Sequence, residues 1–202
     1  RQLHDRMVAV LVRHDGCRAD DEGFTQVESV RDGWWYSAPQ PQGCFVVAWM
    51  TDTDLLGPRA QLEQAWRRRL GDAPHTRARI GSGAPIGEPE IRSAAIQRCR
   101  STKTFVPWVA VGDAALGVDP LSSSGISRAL RTGRTGALAM IGVLGGDRTA
   151  LDGYEHGLDT ELREHLELRS RYYAIEQRFR GAPFWHRRHP RAAARTVEAD
   201  AR

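Results

Sequence analysis

Residues Val106 to Leu130 read V-P-W-V-A-V-G-D-A-A-L-G-V-D-P-L-S-S-S-G-I-S-R-A-L, and the reading of the whole chain turns on their order. A short apolar run ends at Gly112-Asp113, Asp119-Pro120 turns the chain, and Ser122-Ser123-Ser124-Gly125 leads into Ile126-Ser127-Arg128-Ala129-Leu130. A continuous apolar run suits a buried parallel strand, and a Ser/Gly cluster before an apolar-periodic segment is a helix-start signal. The stretch therefore predicts a strand over Phe105 to Val111, a ligand-sized loop and a helix N-terminus, the arrangement at which open α/β sheets bind ligands. Such a terminus carries roughly +0.5 charge and unpaired N–H donors, and glycine lets a flat ligand approach closely. Singly, Gly-Asp and Asp-Pro are turn pairs and the serines are helix caps; in this order, after a strand, they read as a binding site.

Upstream, Leu3 to Arg13 reads as one buried strand, with Met7 to Val12 continuously apolar. Phe24 to Val30 forms a second strand, Asp32-Gly33 a hairpin-type turn, and Trp34 to Ala38 a third strand. Pro39 to Gly43 turns the chain again into Cys44 to Met50. With no crossover between them, these strands predict an antiparallel meander. Thr51 to Asp54 stands where a helix cap belongs, and Leu62, Trp66 and Leu70 recur at helical spacing over Pro58 to Leu70. Arg67, Arg68 and Arg69 complement the dipole of that helix, and Gly71 ends it. Gly71 to Glu90, dense in glycine and proline, reads as a long loop, and Ile91 to Arg100 as a returning strand closed by a turn at Thr102-Lys103.

Downstream, a helix from about Ser124 places Ile126, Leu130, Ala137, Ile141 and Leu144 on one stripe, while Gly133 and Gly136 permit close backbone approach. Gly145-Gly146-Asp147 breaks it, and Thr149 or Asp152 caps a long amphipathic helix. Its stripe runs through Leu151, Tyr154, Leu158, Leu162 and Leu166, then Tyr172, Ile175 and Phe179, to about Arg180. His156 and His165 lack metal-pair spacing and read as surface or packing residues. Phe184 and Trp185 anchor the tail, and Arg191 to Arg202 reads as frayed.

Composition narrows the class. With 202 residues and 41% hydrophobic content, the chain can bury a substantial core. Its apolar runs are too short to cross a bilayer and no signal-peptide pattern opens it, so no membrane partner is expected. Cys17, Cys44 and Cys99 are few and scattered, which fits reduced thiols and a cytoplasmic protein. His14 and Cys17 lack a second ligand pair, so no metal is expected. A net charge of +4 without a recognition module gives no nucleic-acid partner.

The order Gly112-Asp113-Ala114-Ala115, Asp119-Pro120 and Gly125-Ile126 resembles the second FAD-contacting motif of flavoprotein monooxygenases of the para-hydroxybenzoate hydroxylase type and of flavin-dependent halogenases. The segments Tyr172 to Phe179 and Phe184 to Arg188 are similar to the C-terminal part of halogenase-like members. The resemblance implies FAD as cofactor, with Gly112, Asp113, Asp119, Pro120, Ser124, Gly125 and Ile126 binding it. Asp113 would bond the ribityl or ribose hydroxyls, Pro120 would lie by the isoalloxazine ring, and the Gly125 and Ile126 amides would face its pyrimidine edge.

The fold so implied is α/β with α+β character. An antiparallel substrate-domain sheet with one helix and a long loop (1–100) precedes the last strand and helices of an FAD-binding Rossmann-like domain (101–145), a C-terminal helical segment (146–190) and a disordered tail (191–202). The implied activity is monooxygenation of an organic substrate through a flavin C4a-hydroperoxide. Its electrons would come from NAD(P)H or a flavin reductase, and its substrate would be a small molecule or a peptide. No catalytic residue is assigned, and Trp34, Trp35 and Tyr36 are substrate-cavity candidates. Halogenases carry Trp-x-Trp-x-Ile-Pro here, whereas Tyr36 and Ala38 interrupt it in Trp34-Trp35-Tyr36-Ser37-Ala38-Pro39. The alternatives are a halogenase, a flavoprotein that modifies a partner protein during quinone-cofactor maturation, and a non-catalytic remnant serving as a binding module. Gly81-Ser82-Gly83 is not a GxGxxG loop and no other stretch supplies one. The expectation is a partial protein that binds FAD weakly or not at all unaided.

Overall fold

The computed structural model describes residues 1–15, 23–101, 107–147 and 149–189. Cys17, Phe105-Val106, the turn at Thr102-Lys103 and the tail from Arg191 lie outside them. In chain order the elements are β1 (Gln2–Leu3), β2 (Met7–Asp15), β3 (Gln26–Val30), β4 (Gly33–Gln40), β5 (Cys44–Asp52), α1 (Leu62–Gly71), α2 (Pro74–Ile80), β6 (Ala84–Ser93), β7 (Gln97–Arg98), α3 (Gly112–Ala115), β8 (Leu116–Gly117), α4 (Gly125–Leu144), α5 (Ala150–Tyr173) and α6 (Pro183–His186). They form two compact units. A sheet unit takes Met7–Ser93 and the chain from Tyr173 onward; a helical unit takes Arg1–Arg6 and Ala94–Tyr172.

In the sheet unit five antiparallel strands lie in the order β3-β4-β5-β2-β6, so the expected meander forms and β6 adds an edge. Val30 pairs with Gly33 across a two-residue turn. Gly33 has φ +145, and a Cβ there would come 1.9 Å from the Met50 carbonyl oxygen, so only glycine fits. Alternation then divides the tryptophans. Trp35 faces the core formed with Val10, Val12, Trp49 and Trp66, whereas Trp34 donates its indole N–H to the Tyr173 hydroxyl at 2.9 Å.

Leu62, Ala65 and Trp66 of α1 are buried as their spacing predicts. The stretch Gly71 to Glu90 is not a loop: α2 and the first part of β6 occupy it. Its prolines sit where they are tolerated, Pro74 opening α2 and Pro85 and Pro89 on an edge strand. Asp52 is not a helix cap. Its buried carboxylate receives Arg188 at 2.6 Å and Arg187 at 2.8 Å. Phe184 and Trp185 are buried as expected, and the Trp185 indole N–H reaches the Val30 carbonyl at 2.8 Å.

The helical unit is organised by α5, whose Leu151, Tyr154, Leu158 and Leu162 pack on Ile96, Ala110, Leu116 and Ala139. β1, β7 and β8 make a small antiparallel sheet. The expected single strand Leu3 to Arg13 is broken after Leu3, where the Asp5 carboxylate accepts the Ile96 N–H at 3.2 Å. Ile91 to Arg100 is likewise divided between β6 and β7. Pro107 to Val111 forms no ladder beyond an isolated bridge at Trp108, because no described segment pairs alongside it. α5 stops at Tyr173 rather than Arg180. There Glu176 accepts the Arg178 backbone N–H at 2.8 Å, a local bond that competes with helix continuation.

The stripe foreseen on α4 is helical but not buried. Ile126, Leu130, Ile141 and Leu144 are 66–82% exposed, while the opposite face, Arg128, Thr132, Gly136 and Ala139, is buried. Gly136 has the foreseen close approach, since a Cβ there would stand 2.7 Å from Val111 Cγ1; Gly133 has open space around it.

Candidate functional site

The helical unit gathers the residues singled out in the sequence. Gly112 adopts φ +58, and its N–H donates to Thr132 Oγ1 at 2.8 Å, which in turn donates to the Arg128 carbonyl at 2.8 Å. A Cβ at Gly112 would lie 3.4 Å from Ala129 Cβ. The left-handed turn thus seats the Gly112-Asp113 corner against the first turns of α4. Asp113 is exposed, and its carboxylate has no partner among the described residues. Its backbone carbonyl accepts from Gln97 Nε2 at 3.1 Å, which fixes the corner from behind.

Asp119 behaves differently. It is 1% exposed and its side chain caps the short 3-10 turn Pro120–Ser122, accepting the Leu121 N–H at 3.0 Å. Its other carboxylate oxygen accepts from Arg169 Nε at 2.9 Å, and Arg169 also holds Asp5. The Asp119 N–H donates to His165 Nε2 at 3.3 Å, so that nitrogen must carry a lone pair. Burial lowers the His165 pKa below its ordinary 6.5, against the opposing pull of Asp119, and keeps the ring neutral. Asp119 is therefore an internal fastening of the loop, and it is Pro120, exposed beside it, that the turn presents to solvent.

Ser123 takes φ +50, and the Ser122 and Ser124 hydroxyls lie 2.8 Å apart. Ser124 stands at the N-cap of α4 but makes no capping bond to a backbone amide. Its hydroxyl instead accepts from the Arg128 guanidinium at 2.9 Å. No acidic residue lies in the first turn, so the positive end of α4 is neither capped nor neutralised there. Arg128, 4% exposed, adds a cation behind it and is balanced by Glu161 at 2.8 Å. Burial pushes the Glu161 carboxyl up, but hydrogen bonds from Arg131 and Arg128 outweigh it and hold the carboxyl below its ordinary 4.5. A Cβ built on Gly125 meets nothing within 4 Å, so the backbone there is open to a flat ligand.

Chemically, the unit offers at Asp113 a carboxylate with no partner among the described residues, a rigid proline surface at Pro120, and an uncapped helix end at Gly125-Ile126. These suit a polyhydroxylated chain attached to a planar, electron-rich ring. Gly112, Ser124, Gly125 and Ile126 fall within one short loop-helix unit. The fastening set Arg128, Thr132, His165 and Arg169 was not foreseen. Its sequence signal was the i, i+4 spacing of Ser124, Arg128 and Thr132 on the face of α4 opposite the apolar stripe. Trp34, Trp35 and Tyr36 belong to the sheet unit. Trp35 is wholly buried in its core, stacked on Trp49 at 6.2 Å; Trp34 is tied to Tyr173, and Tyr36 is half-buried.

No protein-family model matches the chain. Among curated proteins it is 30% identical over 180 residues to LodB of Marinomonas mediterranea, described as an FAD-dependent oxidoreductase. That match covers 85% of this chain and 47% of LodB, so the chain spans about half the length of the curated relative it matches. Among solved structures it superposes on the peptidyl tryptophan dihydroxylase QhpG with a TM-score of 0.78, at 24% identity over 93% of this chain and 44% of that one. The myxobacterial chondrochloren halogenase CndH gives 0.76, at 20% identity over 98% and 50%, and the flavin-dependent halogenase CmlS gives 0.74, at 20% over 98% and 38%. The fold is thus that of the flavin-dependent halogenases and hydroxylases. The chain is therefore similar in sequence to an FAD-dependent oxidoreductase and in fold to flavin-dependent halogenases and hydroxylases. No helix among the described residues is long and apolar enough to cross a membrane.

Proposed function

We propose that this chain supplies the flavin-ring half of an FAD-dependent monooxygenase that hydroxylates an organic substrate. The observation that carries the reading is the N-terminus of α4. It has no capping bond and no first-turn acid, its cap serine is turned toward Arg128, and Gly125 has open space on its outer side. Asp113 would hold hydroxyls of the cofactor's ribityl or ribose part, Pro120 would abut the ring, and the Gly125 and Ile126 amides would stabilise negative charge at its edge. When bound and reduced, FAD supplies the activation of O2 and the oxygen transfer. The chain's own residues orient the ring and favour its anionic form.

The exposed stripe on α4 and the segment Pro107 to Val111, which joins no ladder among the described residues, support a further part of this reading: the site is completed by a polypeptide part carrying the dinucleotide-binding loop. Electrons would come from NAD(P)H or a flavin reductase. The substrate is a small molecule or a peptide, the latter favoured by the similarity to a peptidyl tryptophan dihydroxylase over 93% of the chain. Against a halogenase stand Tyr36 and Ala38 within Trp34 to Pro39. The test is product analysis on the chain joined to a GxGxxG-bearing half, with NAD(P)H, reductase and bromide present. The reading predicts a product heavier by one or more oxygen atoms; a brominated product contradicts it.

A further inference from the structure

Three residues of α5 stand one turn apart and form a polar seam along the turn that presents Pro120. Glu161, His165 and Arg169 follow the i, i+4, i+8 spacing that puts side chains on one helix face. Each acts on the chain between Asp119 and Arg128. Arg169 Nε donates to the Asp119 carboxylate at 2.9 Å, and His165 Nε2 accepts the Asp119 N–H at 3.3 Å. Glu161 accepts from Arg128 Nε at 2.8 Å, and Arg128 in turn donates to Ser124 Oγ at 2.9 Å. Pro120 is thus placed by the hold on Asp119, and the start of α4 by the hold on Arg128. Between them Ser123 adopts φ +50, a left-handed conformation unfavourable to a residue with a Cβ. Such a conformation persists only while its surroundings fix it.

The members of the seam differ in their response to acid. Arginine keeps its charge, and Glu161, which burial would raise, is held below its ordinary 4.5 by hydrogen bonds from Arg131 and Arg128. Histidine is the side chain whose charge changes nearest neutrality. His165 is 8% exposed and burial lowers its pKa from 6.5. Asp119 of the turn and Glu161 of α5 oppose that shift, while Arg128 of α4 and Arg169 of α5 reinforce it. The neutral ring keeps its lone pair on Nε2, as the Asp119 N–H requires, and its hydrogen on Nδ1. A proton on Nε2 sets donor against donor and adds a third cation beside Arg128 and Arg169.

We propose that His165 is a positioning residue for this turn and a proton-operated release of it. When Nε2 takes up a proton, the Asp119 N–H loses its acceptor, and Pro120 to Ser124 relax away from the place where they would meet the flavin ring. That consequence for the cofactor rests on the flavin reading; the release itself does not.

The test is amide hydrogen exchange of the full chain from about pH 7.5 to about pH 4.5, corrected for intrinsic exchange rates, with the His165 ring titration followed by NMR. As the ring takes up its proton, the Asp119, Leu121 and Ser122 amides should lose about tenfold in protection, while those of Leu158 and Leu162 keep theirs. His165→Gln supplies an amide oxygen that accepts without titrating, so its turn should stay protected throughout. His165→Leu removes the acceptor, so its turn should be open at every pH. A turn that keeps its protection while the ring titrates, a ring that stays neutral until the whole unit unfolds, or a Gln variant that follows the wild-type pH profile overturns the proposal. Were His165→Leu to unfold, the wild-type and His165→Gln profiles would decide. Because exchange is read without flavin, FAD binding by the joined protein tests the cofactor reading separately.

Discussion

In the sheet unit, Trp35, Trp49 and Trp66 are at most 3% exposed, and the helices that cover them belong to the same unit. In the helical unit, α5 buries Leu151, Tyr154, Leu158 and Leu162, yet α4 turns Ile126, Leu130, Ile141 and Leu144 to solvent and packs inward through an arginine, a threonine, a glycine and an alanine. The first is the economy of a self-sufficient core. The second leaves an apolar face that no described element covers, on the helix whose N-terminus carries the candidate cofactor residues Gly125 and Ile126.

The largest effect is expected at the sheet unit's buried ion pair between Asp52 and Arg188. Asp52→Ala would strand Arg188, whose side chain is 2% exposed, and should cost about 3–5 kcal/mol in urea unfolding; a loss below about 1 kcal/mol would mean the pair is not what closes that unit. Within α4 two glycines give opposite expectations. Gly136→Ala should destabilise by about 1 kcal/mol, as overpacking against Val111 exceeds the gain in helix propensity, whereas Gly133→Ala should stabilise by about 1 kcal/mol. Both are read from thermal or chemical denaturation.

Acid should act on the loop fastening of the helical unit. His165 is depressed below 6.5, so the unfolded chain takes up its proton first. The His165 contribution to stability is then constant above about 6.5 and falls as pH drops below it toward the folded value. His14 and His189 are depressed as well, so His165→Gln should reduce the acid slope rather than abolish it. The smallest effect is expected at the open face. Leu130→Ser with Ile141→Ser should change stability by no more than about 0.5 kcal/mol while lowering self-association in sedimentation.

Much of this was legible in the sequence because it follows from period. The meander shows in alternation around Asp32-Gly33 and α5 in the recurrence of Leu151, Tyr154, Leu158 and Leu162, while the candidate site is proposed from the order of Gly112-Asp113, Pro120 and Gly125. What was not legible depended on partners distant in the chain. Glycine and proline hid α2 and β6, because their tolerance of Pro74, Pro85 and Pro89 comes from a helix start and a sheet edge. Periodicity identified the apolar face of α4 but could not say whether the chain covers it. Asp119 read as a ligand group, and only Arg169 and His165, about fifty residues away, show that its polar atoms are spoken for.

On the proposed reading, Asp113 and the N-terminus of α4 hold the ring half of FAD and need a second half to retain the dinucleotide. Titration with FAD, followed by flavin absorbance and fluorescence, tests it directly on the chain alone and on the chain joined to a GxGxxG-bearing half. Weak or no binding by the chain alone, stoichiometric binding by the joined protein, and a loss of about tenfold on Asp113→Ala are expected. A tight stoichiometric complex with the chain alone, or a joined protein indifferent to Asp113→Ala, would contradict it.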